Sequence, residues 1–250
     1  MAVMSATEVL HLDYRPPTAN WVTLLQSRLA QSPRQVLRDR YAMWVEVGLG
    51  ELGGAVATRL YLIRRANDRL SELLKTLSSE VDDSEEIDEL LAGGYVFSSS
   101  NDTLCYDICL AVDAFFFETR SCYEVMGKFV TTFCQKMLCK SISEKELRTV
   151  LVSSQLDTWW IEPLRKNRIA FFHKTAPWIA LQIHRRKPLK CSILVMKENL
   201  HKFDDPDKYI TQSQLAKTAT GFQESAWAIR TWLDEQITEF EARDSKASPQ

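Results

Sequence analysis

Glycine and proline are scarce in this chain, eight of each in 250 residues, and no internal repeat is visible. That scarcity excludes collagen-like and low-complexity chains and leaves long uninterrupted elements as the natural reading. Cysteine is present, at 105, 109, 122, 134, 139 and 191, but no CxxC pair occurs. The scatter through apolar stretches predicts small buried hydrophobes and not a disulfide framework. Cys105 and Cys109 stand four apart with no histidine nearby, so no metal site is expected. No apolar run reaches the length of a membrane span, and MAVMSATEVLHLDYRPP lacks a basic region followed by an apolar one. A cytoplasmic protein with no membrane partner is the expectation. Net charge is also slight, −2, so any attraction for a polyanion must come from a local patch.

What the chain does have is 45% hydrophobic residues, enough for one substantial core, spaced at helical intervals almost throughout. Between 103 and 139 the residues Cys105, Cys109, Val112, Phe116, Thr119, Tyr123, Met126, Val130, Phe133 and Met137 follow alternating steps of four and three. Ala111, Phe115, Glu118, Cys122, Val125 and Phe129 form a second line beside them. A wide apolar surface of this kind predicts a central bundle helix. Glu118 is the one carboxylate in that line, and burying it requires neutralisation or a donor such as Arg168 or Arg120.

Ser143 and Glu146 form a capping box, with Ile142 and Leu147 as its hydrophobic staple, and a short helix follows to about Val152. Pro163 suits the first turn of another helix, which ends before Pro177. WIALQI and CSILVM flank the basic HRRKPLK and favour a short β-hairpin within 178–196. Residues 201–210 read as a loop. A second capping box, Thr211 with Gln214, opens a last long helix with a stripe of Leu215, Ala219, Phe222, Ala226, Ile229, Leu233 and Phe240. TLLQSRLAQ, QVLRDRYAMWV and AVATRLYLIRRANDRLSELLKTL are helical candidates in the N-terminal third. The glycines and serines of 93–103 mark a boundary, giving an N-terminal helical region, 1–94, and a helical bundle, 95–250. The fold class expected is all-α, an up-and-down bundle with a possible hairpin.

Charge is distributed unevenly. EVDDSEEIDE, 80–89, holds seven acids and reads as a solvated linker or helix start. In contrast, 165–190 holds eight Lys/Arg and two His with no acid, which suits a phosphate-bearing polymer and makes RNA the first partner to consider. Arg165, Lys166, Lys174, Arg185, Arg186 and Lys187 are its candidate phosphate contacts, with a solvated turn as the plainer reading of 184–187. Trp159, Trp160 and Trp178 have aromatic faces for base stacking, although aromatics at helical spacing commonly serve the core.

Gly48, Gly50 and Gly53 match GxGxxG, yet no parallel strand ending in an acid follows; a helix break or a close helix contact explains them better than a nucleotide cofactor, and no cofactor is expected. Arg168 and His173 are the sharper pair. A guanidinium grips phosphate and stabilises developing charge, and an imidazole transfers protons near neutral pH. Five residues turn through about 500° of helix, leaving the two side chains about 140° apart, so convergence needs a helix end or a second subunit.

DICLAVDAFFFETRSCYEVMGKF, the following LRKNRIAFFHKTAPW and a closing helix together resemble the HEPN superfamily of all-α domains, whose motif is an Arg, four to six residues, then a His. The resemblance spans about 95–245. It implies a metal-independent endoribonuclease, with a homodimeric site built from both protomers and with the RNA 2′-hydroxyl attacking the adjacent phosphate. By that resemblance Arg168 stabilises the phosphate, His173 transfers protons, and Glu118 and Asn167 support them, in a toxin or defence setting. Members that bind without cutting leave a non-catalytic RNA- or protein-binding module open.

Overall fold

The computed structural model describes residues 16–82, 101–153, 178–184, 190–196, 198–200 and 202–247. Six α-helices and a small antiparallel sheet lie among them. In order they are α1 (Asn20–Ala30), α2 (Gln35–Ala42), α3 (Leu49–Asp82), α4 (Asp102–Met137), α5 (Glu144–Ser153), β1 (Trp178–His184), β2 (Lys190–Met196), β3 (Tyr209–Thr211) and α6 (Gln212–Ala247). The architecture is mostly all-α, a helical bundle plus a short hairpin.

Local chemistry accounts for the helix ends. The Asn101 side chain accepts from Thr103 N at 3.1 Å and so takes up one of the free donors at the start of α4. At the other end Cys139 adopts a positive φ of 50°, and Lys140 N donates back to Cys134 O at 3.0 Å. This is a left-handed helix stop with cysteine in the place glycine usually takes. Both capping boxes form. Ser143 N donates to Glu146 Oε2 at 2.7 Å, and Thr211 N to Gln214 Oε1 at 2.8 Å.

Among the described residues α3 and α4 make the most extensive helix contact. Gly53 lies against Phe129, Arg59 meets Glu118 and Arg69 meets Asp107, so the two helices run antiparallel. Trp21, Trp44, Phe129 and Phe133 join α1, the turn before α3 and α4 through ring contacts of 5.2 to 6.1 Å, mostly edge-on. Trp21 Nε1 donates to Ala226 O of α6 at 2.7 Å, satisfying a buried donor while tying the first helix to the last. One hydrophobic cluster takes residues from α1 through α6 and from β2 and β3. The expected boundary between 94 and 95 falls outside the described residues.

The sheet has the order β1-β2-β3, with Leu181 opposite Ile193 and Val195 opposite Ile210. The expected hairpin is present. β2 is the buried strand and packs on α3 and α6; Ser78 Oγ of α3 accepts from Cys191 N at 3.0 Å. β3 corrects the reading of 201–210 as loop, because Tyr209 and Ile210 extend along β2 where an isolated sequence offers no partner.

Other expectations shift. α3 begins at Leu49, so Gly50, Gly53 and Gly54 are helical, and residues 80–82 of the acidic run end a helix instead of starting one. Cys105 and Cys139 are exposed, not buried; Cys122, Cys134 and Cys191 are buried as expected. Along α6 the stripe from Leu215 to Leu233 is buried, and Ile237 continues it. Phe240 is only partly covered, with the Arg40 guanidinium 5.2 Å from its ring centre.

Candidate functional site

Glu118 projects from α4 between buried Phe115 and Cys122, and the donor that meets it is Arg59 of α3, at 2.7 Å. Arg120, the donor expected within α4, pairs instead with Glu124 one turn on, at 2.7 Å. Side-chain exposures of 28% for Arg59 and 16% for Glu118 place the pair at the mouth of the helix seam. The Arg59 guanidinium also sits 5.7 Å from the Phe117 ring centre, a cation–π distance. Beneath it, Cys122 contacts Val56 O at 3.8 Å, and burial pushes its thiol up to about 12, Arg59 opposing and Glu118 adding to the rise.

The pair borders a cleft of about 530 Å³ between the Pro17–Ala19 turn, α3 and α4. Its walls are apolar, from Pro16, Ala19, Val22, Ala55, Leu62 and Phe117, with Thr58 and the ion pair as the polar groups. Such a lining accepts an apolar group beside a neutralised charge pair. Among the described residues its lining holds no histidine, thiol or second carboxylate with which to move a proton or attack a bond. The salt bridge therefore fixes the register of α3 against α4 in the first place.

The sheet supplies the second feature. Trp178, 43% exposed, begins β1, and Gln182 and Lys190 are exposed. β1 and β2 are joined in sequence by Arg185, Arg186, Lys187, Pro188 and Leu189, so these cations connect the two strands at the His184–Lys190 end. The hairpin is anchored on α3 and α6 through β2.

Of the residues assigned to the nuclease site and its phosphate contacts, only Glu118 lies within the described part. Arg165, Lys166, Asn167, Arg168, His173, Lys174, Arg185, Arg186 and Lys187, like Trp159 and Trp160, lie outside it. Arg59 escaped the sequence reading because its role depends on the antiparallel register of two helices far apart in the chain. A lone carboxylate in an apolar line on α4 demands a donor, and that demand was the only signal available.

The glycines of the GxGxxG match are packing and turn residues. Gly48 takes a φ of 77° at the turn into α3, and a Cβ on Gly53 would stand 2.5 Å from Val22 Cγ2. Among the described residues no group of three His, Cys, Asp or Glu side chains could hold a metal, and no helix is long and apolar enough to cross a membrane. No family model, curated protein or solved structure matches the chain.

Proposed function

We propose that this protein is an RNA-directed, metal-independent endoribonuclease in which Arg168 and His173 act on the scissile phosphate. The observation that carries the reading is the composition of 165–190, eight Lys/Arg and two His without an acid in a chain of net charge −2. In the proposed reaction His173 takes the proton of a 2′-hydroxyl, and the oxygen attacks the adjacent phosphorus. The 5′-oxygen leaves with a proton from a second imidazole, and a 2′,3′-cyclic phosphate remains. Arg168 holds the phosphate oxygens as charge develops on them. Arg165, Lys166, Lys174 and the cations joining β1 to β2 hold flanking phosphates, and exposed Trp178 offers a ring for an unpaired base. A mostly helical bundle is the fold that the HEPN resemblance implies, which supports the reading.

One observation favours a second reading, a binding module of the same fold without cleavage. Glu118, the carboxylate assigned a supporting role, already has Arg59 as its partner. Incubating the purified chain with mixed RNA in EDTA, beside Arg168→Ala and His173→Ala, separates the two. The nuclease reading expects cleavage in the parent and at least about a hundredfold less in each variant. Cleavage surviving in both variants removes these residues from the mechanism. Salt-sensitive RNA retention with no cleavage selects the binding module.

A further inference from the structure

Two cysteines of α4 stand where the packing of that helix does not use them. Cys105 and Cys109 are free thiols, the first exposed and the second half-exposed, while Leu104, Ile108 and Ala111 take the core side of the same turns. Residues four apart on a helix lie one above the other on one face, with Cβ atoms about 5–6 Å apart. The two sulfurs are therefore neighbours. Their proximity shows in the chemistry of Cys109, whose thiol is pushed up by burial, by the Asp113 carboxylate one turn further on and by Cys105 itself. Cys122, Cys134 and Cys191 are buried, and Cys139, the other exposed thiol, lies past the far end of α4, about 45 Å from Cys109 along the helix axis.

We infer that Cys105 and Cys109 form a two-thiolate site for a soft monovalent cation, Cu(I). The ligand chemistry selects this ion. Thiolate sulfur favours soft ions such as Cu(I), and zinc after them, over magnesium or calcium. Zinc needs a fuller ligand set, and among the described residues no group of three His, Cys, Asp or Glu side chains could hold a metal. Cu(I), with its filled d shell, is satisfied by two sulfurs in line. As each Cu–S bond forms, the thiol releases its proton to solvent, so one copper replaces two protons and remains Cu(I) throughout. Tyr106 and Leu110, 77% and 67% exposed, follow the two cysteines in sequence and place apolar surface beside them, a setting that suits a weakly hydrated ion. The inference stands on α4 and does not depend on nuclease activity.

The test titrates the full, reduced chain with Cu(I) under argon against bathocuproine disulfonate, a coloured chelator of that ion. The parent is expected to withdraw one copper per chain from the chelator, and X-ray absorption at the copper edge to show two sulfur neighbours. Cys105→Ser and Cys109→Ser are each expected to weaken binding at least about a hundredfold, the upper end of what losing a contact outside the ligand shell costs. Cys139→Ser is expected to bind as the parent does. Should Cys109→Ser fail to fold, the parent itself supplies the readout: one equivalent of Cu(I) is expected to slow iodoacetamide labelling of Cys105 at least about tenfold while Cys139 labels at its usual rate. A parent that withdraws no more copper than Cys105→Ser overturns the inference. So does protection of Cys139 equal to that of Cys105, or a third sulfur neighbour at the copper.

Discussion

Gly53 shows how much one missing side chain accomplishes in the α3 seam. Its position would carry a Cβ 2.5 Å from Val22 Cγ2 and 3.2 Å from Phe129 Cε2, and neither neighbour has room to yield. Val22 is β-branched with a stiff side chain, and Phe129 is fully buried and in contact with Trp21, Trp44 and Phe133. Gly53→Ala is therefore expected to destabilise the fold by about 1–3 kcal/mol in denaturant unfolding. Val22→Ala in the same chain should recover part of that loss, and an additive pair of losses would disprove the contact. A close helix contact at these glycines was readable from the failed context of the GxGxxG match. That Val22 and Phe129 are the neighbours was not, because they lie 31 and 76 positions away in the chain.

At the scale of the element, α4 shows a strict heptad reading drifting off a real helix. From Met137 back to Val112 the positions of the alternating four-three row are buried apart from half-exposed Tyr123, but Cys109 is half-exposed and Cys105 exposed; Leu104, Ile108 and Ala111 take the core side instead. A straight α-helix rotates about 20° per heptad against a 3.5-residue repeat, so over some five heptads the buried face turns by roughly 100°. The cysteines record this rotation in their reactivity. Burial pushes Cys122 and Cys134 up to about 12, with Lys140 opposing and Glu146 adding to the effect at Cys134. In a brief iodoacetamide pulse on the native protein, Cys105 and Cys139 are expected to alkylate first. Cys122 and Cys134 should be at least about a thousandfold slower, since so little thiolate exists and access is closed. Peptide mass spectrometry reads the result, and comparable labelling of Cys122 and Cys105 would contradict the packing of α4.

Over the whole molecule, one carboxylate gathers several of the bonds that hold the two ends of the described chain together. Glu241 of α6 receives Arg28 on both oxygens, at 2.9 and 2.5 Å, and Ser32 Oγ at 2.5 Å, while Arg34 donates to its backbone carbonyl at 3.1 and 2.9 Å. Burial pushes the Glu241 carboxyl upward, but the hydrogen bonds from Arg28 and Ser32 and the charges of Arg28 and Arg34 outweigh it and leave it below the usual carboxylate range. A folded-state value below the unfolded one means that the unfolded chain takes up the proton first. The stabilisation is thus present above the ordinary carboxylate range and is lost as pH falls through the lowered folded value. Glu241→Gln is expected to cost about 1–3 kcal/mol near neutral pH, with the difference from the parent shrinking as unfolding is repeated at progressively lower pH. A pH-independent difference would mean that shape and not charge holds the latch.

The helical character, the two capping boxes, the hairpin and the acid-free stretch 165–190 are local properties, because caps, periodicity and charge clustering act between residues a few positions apart. Tertiary structure alone decided that Glu118 pairs with Arg59 and not Arg120, that Tyr209–Thr211 becomes a strand, and that α6 returns to α1 through Glu241. Each of these rests on residues brought together from distant parts of the chain. Their partners are chosen by helix register and sheet edges, which exist only once the core has closed.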